Sequence, residues 1–196
     1  MILKNQADGT IILTMQWTHG LVIIIVCITV YVFLTYNALV RWRMRVKEAF
    51  SQLDVQLKRR YDLIPSLVET VKGYMKHERE LLEKIAELRT RAISVTDMKE
   101  KGSIEGSISN IIKRILVIVE NYPELKASQN FMILQEEIIS TENRIAYARQ
   151  YYNDCVRRLN TLCLSFPSNL VAKMFGFKLE SFLEFPQERG GIRVEF

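Results

Sequence analysis

The chain has 196 residues, of which 48% are hydrophobic, and a formal net charge of +5. Because basic and acidic residues are interspersed after residue 47, these charges are typical of the solvated faces of helices, and no nucleic-acid partner is expected. The three cysteines form no CxxC pair and no even-numbered disulfide framework, which suits a reducing compartment.

An uncharged stretch near the N-terminus predicts a membrane anchor. No charged residue lies between Gly9 and Val40, and the segment Leu21–Val40 is almost wholly apolar. A helix needs about 20 apolar residues to cross a hydrocarbon core of roughly 30 Å. A cleaved signal peptide and a buried core helix are the alternatives, but the apolar run is longer than the usual signal-peptide core. We therefore expect one transmembrane helix over residues 21–40.

A basic collar follows the apolar segment and predicts both orientation and lipid contact. The candidate membrane-surface residues are Arg41, Trp42, Arg43, Arg45 and Lys47. On the other side of the segment the only basic residue is Lys4, so the positive-inside rule places the N-terminus outside and the rest of the chain in the cytoplasm. Lysine and arginine beside an anionic leaflet each contribute on the order of 1 kcal/mol to membrane binding. Membrane lipids are the first expected partner.

The remaining chain divides into a lead, one domain and a tail. Residues 1–20 form an external lead. Within it, Thr10–Trp17 either lies in the headgroup interface on the outer side of the membrane or packs against a neighbouring copy. Residues 41–185 form one cytoplasmic helical domain, because about 155 residues beyond the membrane do not comfortably build two cores. Residues 186–196 form a C-terminal tail.

Apolar residues recur at helical spacing in the first half of the cytoplasmic part. The membrane helix is expected to run on into the first cytoplasmic helix and to end near Arg60. Asp62 and Pro65 then predict a turn or sharp kink, because proline disfavours helix for the residue before it. A second helix carries the stripe from Leu67 to Leu88, and the Gly, Ser and Thr residues of Thr96–Gly106 indicate a linker.

The second half predicts two more helices. The third carries an isoleucine-rich face and ends at Asn121–Pro123. The fourth has heptad-spaced core positions, namely Phe131, Ile138, Ile145, Tyr152, Leu159 and Phe166 in one set and Leu134, Thr141, Ala148, Cys155 and Leu162 in the other. Pro167 closes this helix, and a short amphipathic piece spans Leu170–Phe177. The predicted fold is all-α, with an N-terminal transmembrane helix continuous with a long antiparallel four-helix bundle.

Polar clusters in the predicted bundle suggest structural contacts between helices. The residues expected to form interhelical ion pairs and hydrogen bonds are Arg59, Arg60, Asp62, His77, Glu78, Glu142, Arg144 and Arg149. Such pairs can fix helix register and the choice of neighbour. The third-helix face and the aromatic tail supply candidate oligomer contacts, namely Ile108, Ile111, Ile115, Phe182 and Phe185, although burial within one protomer explains each residue equally well.

Catalytic patterns are scarce in this sequence. His19 and His77 form no pair at metal-ligand spacing, and neither a Gly-rich phosphate loop nor a GxSxG nucleophile motif occurs. Glu136 and Glu137 are typical of an exposed helix face. We therefore expect no catalytic residue, no metal, no cofactor and no enzymatic activity.

Several ordered blocks of sequence make this chain resemble the LemA family over residues 36–185. The matching blocks are Tyr36-Asn37, Arg60 to Val68, Val71 to Tyr74, His77-Glu78, Tyr122 to Ala127 with Phe131 and Leu134-Gln135, Thr141 to Asn153, and Pro167 to Ala172. The resemblance implies a bacterial single-pass membrane protein with a cytoplasmic helical bundle. That family includes magnetosome proteins linked to membrane remodelling, and its members often occur beside membrane peptidases. It implies no catalytic residue. The chain differs in its longer N-terminal lead and its isoleucine-rich third helix.

These observations lead to a main functional hypothesis and an alternative. The first is a homo-oligomeric scaffold anchored in the bacterial inner membrane, which organises or curves that membrane. The alternative is an adaptor or regulator of another membrane protein, such as a peptidase or a signalling kinase.

Overall fold

The computed structural model of this chain describes residues 2–185, and the predicted tail 186–196 lies outside them. Helices account for 85% of the described residues, and residues 2–185 contain no strand. The elements are α1 (Ile2–Lys72), a 3-10 turn (Lys76–Glu78), α2 (Arg79–Ser94), α3 (Met98–Val119), α4 (Pro123–Lys126), α5 (Gln129–Leu164) and α6 (Ser168–Met174). The all-α prediction is confirmed, and one helix, α1, runs from the apolar segment into the bundle.

The chain divides into two units, each with its own packing. The anchor unit contains the described residues up to Met44 together with Leu159–Leu179. The bundle unit contains Arg45–Arg158 together with the described residues from Glu180 onwards. Helices α2 and α3 belong to the bundle unit, whereas α1 and α5 contribute residues to both.

Helix α1 continues through Pro65 to Lys72, so the predicted helix end near Arg60 and the break at Pro65 are wrong. Proline has no N–H for the carbonyl four residues earlier, which is that of Tyr61. Arg89 of α2 supplies the missing donor, because its Nε donates to the Tyr61 carbonyl oxygen at 2.6 Å. The helix ends at Lys72 instead, and in the following turn Tyr74 and Met75 both donate their N–H groups to the Val71 carbonyl at 3.0 and 2.9 Å.

Helix α3 begins at Met98, so most of the predicted linker Thr96–Gly106 is helical. The Asp97 side chain caps the helix by accepting from the Glu100 N–H at 2.8 Å. Gly102 serves close packing here, because a Cβ at this position would stand 2.2 Å from the Glu184 carbonyl oxygen. The small residues that suggested a linker therefore allow a backbone to approach α3.

The core of the bundle unit follows the helical periodicity of the sequence. In α5 the first set of predicted heptad positions is 3% exposed or less from Phe131 to Tyr152, whereas Leu134 and Ala148 of the second set are half-buried. Phe50 of α1 packs its ring 5.8 Å from that of Tyr152. The face of α3 is buried as well, with Ile108 and Ile115 at 0% and Ile111 at 8% exposure. These three isoleucines belong to the core of their own chain, which corrects their assignment to an external contact surface.

The anchor unit presents the apolar segment to its surroundings. Every residue from Leu21 to Tyr31 is exposed, whereas Thr35 and Leu39 are buried. Within the described residues one helix is long and apolar enough to cross a membrane, and the most apolar stretch of that helix is almost wholly exposed. A core helix would be covered by protein, so the buried-core alternative does not describe this segment.

Candidate functional site

A buried ionic cluster joins α1, α3 and α5 in the bundle unit. The Arg60 side chain is 1% exposed and Glu105 is fully buried, and Arg60 Nη2 donates to Glu105 Oε2. Arg60 Nη1 donates to Glu142 Oε1 and to Ser109 Oγ, both at 2.8 Å. The Ser109 hydroxyl donates to Glu142 Oε2 at 2.7 Å, and the Tyr61 hydroxyl donates to Glu105 Oε1. One guanidinium thereby holds three helices through two carboxylates.

The electrostatics of this cluster depend on burial and on the two carboxylates. Burial disfavours the charged form of Arg60, but the charges of Glu142 and Glu105 outweigh it, so the pKa of Arg60 is raised. Burial also raises the pKa of Tyr61, and the Glu105 carboxylate raises it further. Arg149 lies close to Glu142, and burial lowers its pKa while that carboxylate opposes the shift. The cluster therefore keeps its guanidinium charged and its phenol neutral at physiological pH.

The structure brings together only part of the polar set that the sequence indicated. Arg60 and Glu142, both expected to make interhelical polar contacts, form an ion pair with each other. Arg59, Asp62, His77 and Arg144 lie on the surface, and Glu78 is half-buried immediately before α2.

Sequence reasoning missed Glu105 and Ser109. Glu105 lies three residues before Ile108 and seven before Ile112, which is the spacing of one helix face. If the surrounding small residues had been assigned to a helix, this spacing would have placed the Glu105 carboxylate on the buried isoleucine face.

A small cleft opens beside the cluster, but its chemistry is that of a structural contact. The cleft has a volume of about 190 Å³ and is lined by Ser109, Glu142, Arg149 and Phe185 among others. The Ser109 oxygen accepts from Arg60 and its hydrogen goes to a carboxylate, and no imidazole takes part in these contacts. The described residues contain no group of three or more His, Cys, Asp or Glu residues placed to hold a metal ion.

A second feature of the bundle unit is an extended segment, residues 180–185, bound along α5. The Asn153 side chain brackets the Leu183 backbone, donating to its carbonyl at 3.1 Å and accepting from its N–H at 3.0 Å. The Tyr152 hydroxyl donates to the Ser181 carbonyl at 2.8 Å. These three hydrogen bonds recognise main chain rather than side chains.

Two further contacts fix the extended segment. The Arg149 guanidinium lies 4.1 Å from the centre of the Phe185 ring, within the range of a cation–π interaction. Leu183 is fully buried, while Phe182 is 37% exposed. A groove of about 1220 Å³ lined by Tyr147, Gln150, Arg157 and neighbouring residues runs beside the segment. Phe185, predicted as an oligomer contact, therefore packs on α5 of its own chain.

The predicted membrane-surface residues are accessible. Arg41, Arg43, Arg45 and Lys47 are exposed and Trp42 is half-buried. The Arg43 guanidinium lies 6.0 Å from the centre of the Phe177 ring within the anchor unit. Contact of these residues with lipid stays a prediction.

These features define a helical-bundle protein with one candidate N-terminal transmembrane helix and a bundle held by a buried ionic cluster. Comparison with known families identifies it more closely. The sequence model of the LemA family matches residues 49–196, and the chain belongs to that family.

Relatives from three bacteria agree with this assignment. Protein LemA of Metamycoplasma hominis is 27% identical over 138 residues, which cover 70% of this chain and 63% of that protein. Magnetosome protein MamQ 2 of Paramagnetospirillum magneticum is 22% identical over 196 residues, with 85% and 72% coverage. Magnetosome protein MamQ of Magnetospirillum gryphiswaldense is 22% identical over 178 residues, with 77% and 65% coverage. Together with the exposed apolar segment of α1, these relatives indicate a membrane protein.

Proposed function

We propose that this protein is a non-enzymatic scaffold, anchored in the bacterial inner membrane with its N-terminus outside and its bundle in the cytoplasm. Copies assemble laterally through the bundle and thereby organise or remodel the membrane. The relatives named as magnetosome proteins support a role in organising bacterial membranes.

One observation carries this proposal, namely an exposed apolar stripe on α5 within the bundle unit. Its residues are Met132, Ile133, Ile139, Tyr147 and Tyr151, with exposures of 50%, 54%, 44%, 74% and 47%. At 100° per residue these positions fall within about 120° of one another around the helix. Large apolar side chains aligned on one exposed face are typical of a protein contact surface. This stripe replaces the buried isoleucines of α3 as the expected contact between copies.

A second copy of the same chain is the proposed occupant of the stripe. Polar residues alternate with the apolar ones along the face, including Glu136, Asn143 and Gln150, which are exposed. Such a mixture of aromatic and aliphatic anchors with a polar surround is typical of protein interfaces. It also leaves the free surface soluble enough to avoid indiscriminate aggregation.

The test is the mass and shape of the full-length protein in mild detergent, measured by light scattering and negative-stain imaging. We expect a large, regular particle for the wild type. The double variant Ile139→Glu with Tyr147→Glu should yield a much smaller particle with unchanged helix content.

The control is Val117→Glu, which places a single glutamate at a 70% exposed apolar position on α3. It should keep the wild-type particle. A monomeric wild type, or a stripe variant that assembles normally, contradicts the scaffold.

The alternative is an adaptor that presents the bundle to another membrane protein, such as a peptidase or a signalling kinase. The main-chain bracket at Asn153 favours this alternative, because a groove that recognises backbone groups is suited to an extended peptide. An adaptor predicts a stoichiometric foreign protein that remains bound through purification, and no large self-assembled particle.

A further inference from the structure

The end of α5, the following turn and α6 form an apolar corner of the anchor unit, residues 164–175. Its exposed residues are Leu164 at 65%, Phe166 at 80%, Leu170 at 58%, Met174 at 65% and Phe175 at 49%. Other residues of this segment are well packed, since Val171 and Ala172 are 4% and 1% exposed. The corner is therefore ordered against protein on one side and presents large apolar side chains on the other.

The depth of this corner follows from its contacts with α1. The Tyr36 ring centre lies 4.7 Å from that of Phe175 and 6.1 Å from that of Phe177. Tyr36 lies four residues before Val40, the last residue of the apolar segment, which corresponds to about 6 Å along a helix. Phe175 is thus level with the last turn of the apolar segment, not beyond it.

The charges around the corner have one sign. No Asp or Glu occurs between Cys155 and Leu179, where the basic residues include Lys173 and Lys178. Helix α1 likewise has no Asp or Glu between Gly9 and Lys47. Exposed apolar side chains combined with basic residues are typical of an element that lies in the interface of an anionic leaflet.

We propose that the apolar corner inserts into the lipid leaflet at the Val40 end of the transmembrane segment. It is a second, shallow membrane contact beside the anchor, with Phe166 and Leu170 among the acyl chains and Lys173 at the headgroups. The proposal rests on the membrane anchoring of the proposed function and not on self-assembly. Side chains that enter only one leaflet expand that leaflet locally, so the corner supplies a physical means of bending a membrane.

Tryptophan fluorescence with brominated lipids tests this insertion. In the full-length chain Trp17 and Trp42 are changed to Phe, and Phe166→Trp introduces a single reporter. The protein is reconstituted into vesicles of phosphatidylcholine and phosphatidylglycerol whose acyl chains are brominated near the headgroup. We expect the emission of this reporter to be quenched several-fold compared with vesicles of unbrominated lipid. Leu170→Trp in the same background repeats the measurement in case the first variant folds poorly.

The matched control is Val117→Trp in the same background, at a 70% exposed position in the bundle unit outside the proposed contact stripe. Its emission should be equally intense in both kinds of vesicle. Water-like emission without quenching at positions 166 and 170 would overturn the proposal. Blue-shifted emission without quenching would overturn it as well, because it indicates burial against protein. Both results are independent of particle mass, so failure of the insertion and failure of the scaffold are distinguishable.

Discussion

Arg60 is the buried cation at the centre of the ionic cluster in the bundle unit. Two carboxylates approach it in a protein interior, and each would be strongly disfavoured there without its partner. A buried ion pair gains little over a well-packed apolar core, but removal of one partner is costly because an uncompensated charge remains. The Arg60–Glu105–Glu142 cluster is therefore best understood as a device that fixes the register of three helices.

We expect Arg60→Met to destabilise the protein by about 3–5 kcal/mol, because Glu105 and Glu142 lose their counter-charge. For a chain of this size the midpoint of thermal unfolding should fall by roughly 10 °C. Circular dichroism of the full-length protein in detergent provides the measurement.

The neighbouring variant Arg59→Met is the control for Arg60→Met. Arg59 is exposed, so its substitution should change the free energy of unfolding by no more than about 0.5 kcal/mol. Adding Glu105→Leu to Arg60→Met should recover part of the lost stability. Equal midpoints for wild type and Arg60→Met would show that the cluster contributes nothing.

The burial of the Tyr152 phenol predicts that the protein loses stability at alkaline pH. Burial, with a contribution from Glu180, raises its pKa from 10.0 to about 12. Since the fold favours the neutral phenol, this contribution is complete below pH 10 and is lost as the pH rises through about 12. Between pH 10 and about 12, the midpoint of thermal unfolding should fall less steeply with pH for Tyr152→Phe than for the wild type. Tyr147→Phe, at an exposed position, should keep the wild-type slope, and parallel curves for all three proteins would contradict the assignment.

At the scale of the element, the passage of α1 through Pro65 depends on Arg89. Without its Nε–H the Tyr61 carbonyl would lack a donor in a partly buried position. We expect Arg89→Met to cost about 1–3 kcal/mol, the usual penalty for an unsatisfied buried polar group. In a Pro65→Ala background the cost should be clearly smaller, because the alanine N–H restores the helical hydrogen bond.

A double-mutant cycle over Arg89→Met and Pro65→Ala measures this coupling by chemical denaturation. Additive effects of the two substitutions would show that Arg89 acts elsewhere than at the Tyr61 carbonyl.

The elements that could be predicted from sequence are those with uninterrupted periodicity. The first heptad set of α5 predicted its buried positions from Phe131 to Leu159. Phe166, predicted in the same set, lies beyond the helix end at Leu164 and is 80% exposed. The errors occurred where local propensity was overruled by a distant side chain. Arg89 lies 28 residues from Tyr61, and the Glu184 backbone is what requires a glycine at position 102 of α3. Neither contact can be read from a local window.

The candidate site was predictable only in its charged members on strongly periodic helices. Arg60 and Glu142 lie on such helices and were both expected to make interhelical polar contacts, but their pairing with each other was not predicted. Glu105 lies among Gly and Ser residues that resemble a linker, so its carboxylate was not assigned to a buried helix face. The asparagine bracket around Leu183 could not be predicted, because the segment it binds has no periodicity of its own.

At the scale of the whole molecule, the asymmetry of basic residues predicts orientation. A tag at the N-terminus should be digested when spheroplasts are treated with protease, and a C-terminal tag should be protected. Changing Arg41, Arg43, Arg45 and Lys47 to Gln should raise the fraction of chains with the opposite orientation. Digestion of the C-terminal tag in the wild type would reverse the assignment of sides. Detergent-permeabilised spheroplasts, in which both tags are digested, provide the control.

The bracket formed by Asn153 has an evolutionary consequence. Both of its hydrogen bonds go to the backbone of Leu183, so most side chains of the bound segment can change without loss of those bonds. Gly102, by contrast, cannot gain a Cβ while Glu184 stays in place. Across relatives that bind their own segment in this way, the asparagine and the glycine should therefore be retained while the segment itself diverges.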